Sequence, residues 1–349
     1  MEMFNSRHIN DPSSSACFII AEAGVNHNGD LELAKLLVDA AVEAGANAVK
    51  FQAFRADELA SIDAPKAEYQ LAGAGKEESQ LVMLKRLELP PSAYAELSRY
   101  CERKNIIFLA SPFDLESADL LDSLGMPYFK IASGEITNYP LLRHVAGKGR
   151  PVILSTGMST MEEVQNAVEL IASAGYGKIV LLHCVTEYPA PVDAVNLRAM
   201  VTMREVCNVP VGYSDHTLGI EVAIAAVALG ASLIEKHLTL GRDMEGPDHR
   251  ASLEPSEFKQ MVGLIRNIEN AMGDGVKRPA QCEIANRLVA RRSICAAVGI
   301  SCGEVIRSEM LAYKRPGKGI SPRYYEEVIG RQASRSYQAG ELLDWEGLA

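Results

Sequence analysis

The chain has 349 residues, a formal net charge of −10, 48% hydrophobic and 23% charged residues. That length suits one large core plus a smaller module, and the composition excludes disorder. The acidic balance argues against a general nucleic-acid or anionic-membrane binder, and no apolar run approaches the roughly 20 residues of a membrane span.

The first fifteen residues are polar and lack the apolar stretch of a signal peptide. Seven scattered cysteines without a C-x-x-C pair read as reduced thiols in the cytoplasm. Residues 17–24 predict a buried strand with Glu22 near its end. Asp30 is the expected N-cap of a helix that Gly45 closes, and residues 46–52 are the next strand. That is one βαβ unit. Residues 54–80, rich in Ala, Gly and Glu around Ala67-Glu-Tyr-Gln70, read as an extended loop over one end of the sheet. Further strands are expected at residues 106–110, 128–132, 152–155, 179–183, 209–213 and 231–235, with helical stretches such as 92–104, 160–174 and 220–229 between them. Eight strand–helix repeats in about 270 residues predict an α/β fold of the (β/α)₈ TIM-barrel type. No G-x-G-x-x-G or P-loop is present.

The pattern changes after Gly273. We expect a barrel domain over residues 1–272 and a linker over 273–290. A small β-rich module follows over 291–349, with a turn at Ser301-Cys-Gly303 and the segment Lys314-Arg-Pro-Gly317.

Reactive groups in such barrels line the carboxyl ends of the strands. Here those ends carry Glu22, Lys50, Gln52, Ser111, Lys130, Ser133, Glu135, Ser155, His183, Ser214, His216, Glu235 and His237. Each alone could be a structural hydrogen-bonding residue; a polar group at nearly every end is what a buried polar site requires. Lys50 and Lys130 among serines suit a phosphate or carboxylate, because a buried lysine is costly unless paired. Two histidines ending neighbouring runs, His216 and His237, could hold a divalent metal with positions left open for water and substrate. Glu22, Glu135 and Glu235 supply acid, base or hydroxyl-binding groups. Together these suit carbon–carbon bond formation between a phosphorylated enol and a carbonyl.

Motifs along nearly the whole chain carry a resemblance. They include Ala21-Glu-Ala-Gly-Val-Asn-His-Asn-Gly29, Val49-Lys-Phe-Gln52, Ser111-Pro-Phe-Asp114, Lys130-Ile-Ala-Ser-Gly-Glu135, Leu154-Ser-Thr-Gly-Met158, His183-Cys-Val-Thr-Glu-Tyr-Pro189, Gly212-Tyr-Ser-Asp-His-Thr217, Glu235-Lys-His237, Gly246-Pro-Asp248 and Lys314-Arg-Pro-Gly317. From about residue 18 onward the chain resembles the sialic acid synthases, which comprise N-acetylneuraminate synthase and N,N'-diacetyllegionaminate synthase.

The resemblance implies a TIM barrel followed by an antifreeze-like SAF module. It implies condensation of phosphoenolpyruvate with an N-acetylated mannose-type sugar, N-acetylmannosamine in the first reading and the 2,4-diacetamido-2,4,6-trideoxy sugar in the alternative. By motif, His216 and His237 would hold a divalent metal, Mn²⁺ first, with Mg²⁺ or Co²⁺ as substitutes. Lys50, Ser111, Lys130, Ser133, Ser155 and Ser214 would bind phosphoenolpyruvate; Gln52, Glu135, Tyr188 and Asp248 would bind the sugar. Glu22 would position or deprotonate the attacking water, and Glu235 joins the catalytic carboxylates. Thr186 stands where some members carry Asn, which leaves that sugar or phosphate contact open. Arg315 would reach the partner's barrel in a domain-swapped homodimer. A synthase making a shorter keto-sugar acid and a non-catalytic sugar-binding or polysaccharide-assembly protein are the competing readings.

Overall fold

A computed structural model describes residues 16–67, 79–174 and 177–349. The chain divides into two compact units between Gly273 and Asp274.

The first unit is built on eight parallel strands: β1 Phe18–Gly24, β2 Ala48–Ala53, β3 Ile107–Pro112, β4 Phe129–Ile131, β5 Val152–Ser155, β6 Ile179–His183, β7 Val211–Asp215 and β8 Leu233–His237. Their order, β3-β2-β1-β8-β7-β6-β5-β4, is that of a barrel. β3 and β4 stand side by side and complete the ring without a ladder. At this seam the Ala110 N–H donates to Met126 Sδ at 3.2 Å instead of to a strand carbonyl.

Helices alternate with the strands: α1 Leu31–Ala44, α2 Ala56–Leu59, α3 Gln80–Leu87, α4 Pro91–Lys104, α5 Leu115–Ser123, α6 Tyr139–Ala146, α7 Met161–Ala174, α8 Arg198–Cys207, α9 Glu221–Ala228 and α10 Pro255–Met272. Asp30 caps α1 by accepting from the Glu32 and Leu33 amides, and Gly45 ends it at φ 82°. Only a residue free of a Cβ clash holds that left-handed turn cheaply. Helix faces and strands close one apolar core, from Ile19 and Phe51 to Leu154, Leu181, Ile234 and Phe258.

Register then levels the strand ends. Glu22 lies opposite Lys50 on one side and His237 on the other, Gln52 opposite Ser111, and Ser214 opposite Glu235. Because side chains alternate across a strand, Glu235 and His237 share one face while Lys236 takes the other.

Two expectations are corrected. The loop expected over 54–80 contains α2 and the start of α3. Val25, Phe54, Met83, Leu84 and Leu87 form a separate small core that holds these helices, and the Ser79 side chain caps α3. The motif residues 68–70 and the rest of 68–78 lie outside the described residues. Strands β7 and β8 also run two residues further than their apolar patterns, so that His237 ends β8 and His216 follows β7 directly. Of the added residues Ser214 and His237 face the site, while Asp215 and Lys236 pair behind it.

The second unit begins with α11 Glu283–Ala290, which occupies much of the segment expected as a linker. β9 Ser293–Ala296 pairs antiparallel with β10 Leu311–Lys314, and α12 Tyr325–Val328 follows. Isolated bridges such as Ile300↔Tyr337 and Ala333↔Leu348 tie the rest around Ile294, Ile306, Ile320, Val328 and Leu343. Among the described residues, no helix is long and apolar enough to cross a membrane.

Candidate active site

A cavity of about 390 Å³ opens at the carboxyl ends of the strands. Its floor holds Glu22, Lys50, Ser111, Lys130, Ser155, Ser214, Glu235 and His237; Gln52, Ser133, Thr186, Tyr188 and His216 stand around it. The strand ends singled out by sequence therefore converge, except Glu135 and His183, which do not line the cavity; His183 instead bonds the Val195 carbonyl at 2.7 Å.

Glu235 is the hub. Its carboxylate lies 3.7 Å from Lys50 Nζ and 3.6 Å from Lys130 Nζ, and accepts from Ser214 Oγ at 2.9 Å. Burial alone would raise this carboxyl, but the flanking Lys130 and Lys50 ammonium groups and the Ser214 hydroxyl pull it down to about 2. Lys130 also donates to Ser155 Oγ at 2.7 Å. Lys50 donates to Ser111 Oγ at 3.1 Å and pairs with Glu22 at 2.5 Å. Burial pushes Glu22 up to about 7 against the pull of Lys50, so near neutrality it exchanges a proton while Glu235 stays ionised. Burial also lowers Lys130, against the pull of Glu235. Two lysine Nζ atoms ringed by serine hydroxyls offer hydrogen-bond donors to an anion.

The histidines stand beside it. His216 donates from Nδ1 to the Val185 carbonyl at 2.6 Å, which makes Nε2 the lone-pair nitrogen, 3.4 Å from Ser214 Oγ. Its ring centroid is 5.6 Å from that of His237, and Tyr188 lies 4.1 Å from His216 and 5.5 Å from His237. Burial lowers His216 to about 4 and His237 well below its usual value, so both are neutral imidazoles. Nδ1 of His237 is buried without a hydrogen-bond partner. Neutral rings with an unspent lone pair fit a metal, whose ligands must be deprotonated. Among the described residues no group of three or more His, Cys, Asp and Glu side chains is gathered as a ligand cluster.

Asp248 approaches from the loop after β8, 3.9 Å from His237 Nδ1. Burial raises its carboxyl to about 6. Asp248, Glu22 and Gln52 meet around Gly24, where an added Cβ would lie 3.2 Å from Glu22 and 3.5 Å from Asp248. Ser133 is fixed by the Gly157 amide at 2.9 Å and contacts Cys184 Sγ at 3.1 Å. Thr186 Oγ1 is buried without a partner beside it.

One expected site residue of the barrel stands apart. Glu135 is half-buried in the turn after β4 and accepts from Asn138 at 2.7 Å; it does not line the cavity. Arg315 is exposed just past β10 in the second unit. Three features escaped the sequence reading. Gly24 and Gly157 leave room for converging side chains, and a glycine before or after a polar strand end was their signal. The third is a fully buried pair behind the site, Lys236 Nζ–Asp215 Oδ2 at 2.8 Å, which ties β8 to β7. Its signal was the strand parity that turns both residues away from the cavity.

The NeuB family model matches residues 37–277, and a SAF domain matches 291–349. The chain belongs to the NeuB family. This NeuB chain is 50% identical to an N,N'-diacetyllegionaminic acid synthase of Campylobacter jejuni, over 93% of this chain and 98% of that one. It is 47% identical to an N,N'-diacetyllegionaminic acid synthase of Legionella pneumophila, over 96% and 95%. A crystal structure of an N-acetylneuraminic acid synthetase from Leptospira borgpetersenii, in complex with citrate, superposes with TM-score 0.69 at 38% identity, covering 78% of this chain and 90% of that one. The expected TIM barrel with a C-terminal SAF domain, and the sialic and legionaminic acid synthase family, are thus both found.

Proposed function

We propose that this NeuB chain condenses phosphoenolpyruvate with 2,4-diacetamido-2,4,6-trideoxymannose and water, giving N,N'-diacetyllegionaminate and phosphate. The single observation that carries the condensation is the pair of buried lysines sharing Glu235 within a ring of serines. Their Nζ atoms and the serine hydroxyls beside them offer donors suited to the carboxylate and phosphate of phosphoenolpyruvate. The sugar is chosen on the two legionaminic relatives at 50% and 47% identity, which reverses the order given by the motifs alone. N-acetylmannosamine is the second reading, favoured by the likeness to the Leptospira synthetase.

In this account Lys50, Lys130, Ser111, Ser133, Ser155 and Ser214 hold phosphoenolpyruvate, and Thr186 offers its unpaired hydroxyl to either substrate. Gln52, Tyr188 and Asp248 hold the sugar. C3 of the enol attacks the open-chain aldehyde and forms the new C–C bond, and the former aldehyde oxygen takes up a proton to become a hydroxyl. Water adds at C2, its first proton passing to Glu22; the C2–O bond then breaks, the added hydroxyl gives up its second proton to become the 2-keto oxygen, and phosphate leaves with the bridging oxygen. A divalent metal held by His216 and His237, manganese first, would polarise the aldehyde oxygen as a Lewis acid. All seven cysteines are free, which supports a cytoplasmic setting.

Incubation with phosphoenolpyruvate, Mn²⁺ and each sugar tests the reading. Phosphate release should require sugar and should be faster with the diacetamido compound. Release that ignores sugar, or none with either sugar, would overturn it.

A further inference from the structure

The cavity has a wall of different character from its floor. Leu59 of α2, Leu84 of α3 and Phe113 just past β3 line its mouth, with the Gln80 amide as the polar group among them. They are the inner surface of the small core that corrected the loop expectation: Leu84 belongs to it, and Leu59 and Phe113 pack against it. Phe113 meets Phe54 edge to face at 6.3 Å between centroids. The wall is therefore backed by packed side chains and, among the described residues, offers little hydrogen bonding beyond one amide.

Resting on the condensation reading, C1 of the sugar must lie at the floor, beside the lysines and histidines. The far end of the open chain then extends toward the mouth. A hydroxyl pressed against Leu59, Leu84 or Phe113 loses water without gaining a partner. A methyl gains by leaving water there. The Gln80 amide can satisfy one amide carbonyl.

We propose that Leu59, Leu84 and Phe113, with Gln80, form the specificity wall that reads the C4–C6 end of the acceptor sugar. It selects a 6-methyl and a 4-acetamido group over the hydroxyls that N-acetylmannosamine carries at those carbons. Nothing at the polar floor distinguishes these two sugars, because both carry the same aldehyde and 2-acetamido group.

The test is the ratio of kcat/KM for the diacetamido sugar to that for N-acetylmannosamine, at saturating phosphoenolpyruvate, in wild type, Leu59→Asn and Phe113→Tyr. Leu84 is left intact because it is buried in the small core. Phe113→Tyr conserves the ring packing, so at least one variant keeps the fold, as a thermal melt will show. A hydrophobic pocket discriminates by about 10–200-fold for one methylene. The ratio should therefore fall at least about tenfold toward N-acetylmannosamine in each folded variant, with the KM for phosphoenolpyruvate unchanged. A wild type that uses both sugars while the folded variants keep its ratio would overturn the wall alone. A wild type that turns over neither sugar would overturn the condensation reading and the wall with it.

Discussion

At the scale of single residues, the site runs on how burial and charge divide between Glu235 and Glu22. Glu235 touches both lysines and stays ionised; Glu22 touches one and holds a proton up to about pH 7. A raised carboxyl is in its basic form only above its pKa. If Glu22 takes the proton of the attacking water, kcat/KM should therefore fall as pH drops through about 7. Glu22→Gln should lower the rate and erase that limb of the profile, whereas an unchanged limb would assign it elsewhere. Lys130→Met should keep the fold, since Glu235 retains Lys50 and Ser214. It should cost on the order of 2–3 kcal/mol in phosphoenolpyruvate kcat/KM, roughly a hundredfold, read by steady-state kinetics. His216→Ala and His237→Ala should each lower Mn²⁺ affinity, measured by calorimetry, and EDTA should silence the wild-type enzyme until Mn²⁺ is returned. Full activity in metal-free protein would refute the histidine assignment.

At the scale of elements, the strand ends were readable and the packing between them was not. An apolar run followed by a polar residue marks a buried strand and its exit, so Lys50, Lys130 and Glu235 could be placed on one rim. The pattern stopped short on β7 and β8 because Asp215 and Lys236 break the apolar run, although they are fully buried as a pair. Helices α2 and α3 were hidden because a four-residue turn and an eight-residue helix carry few periods, and their apolar faces pack with Val25 and Phe54 into a small core separate from the main one. Glycines were the other blind spot. An added Cβ on Gly157 would fall 2.1 Å from Thr186 Oγ1 and 2.9 Å from Ser133 Oγ. Gly157→Ala should therefore displace both hydroxyls and raise the KM for phosphoenolpyruvate about tenfold or more, while melting within a few degrees of wild type. An unchanged KM would show that neither hydroxyl contacts the anion.

At the scale of the whole molecule, repeat count and length gave the barrel, and the change of pattern after Gly273 gave the second unit. For that unit the sequence offers a role only through the family motif around Arg315, because an exposed arginine has many uses. We propose that it completes the partner's site in a homodimer. Arg315→Ala chains mixed with His216→Ala chains should then recover activity after subunit exchange, toward about a quarter of wild type for random mixing. No recovery despite exchange would place the arginine in its own chain or outside the reaction. The most direct test of the chemistry lies in one labelled atom. Phosphoenolpyruvate carrying ¹⁸O at the bridging position should, with the diacetamido sugar and Mn²⁺, yield phosphate that contains the label, read by the isotope shift in the ³¹P spectrum. Unlabelled phosphate would mean P–O cleavage and would contradict condensation at C2.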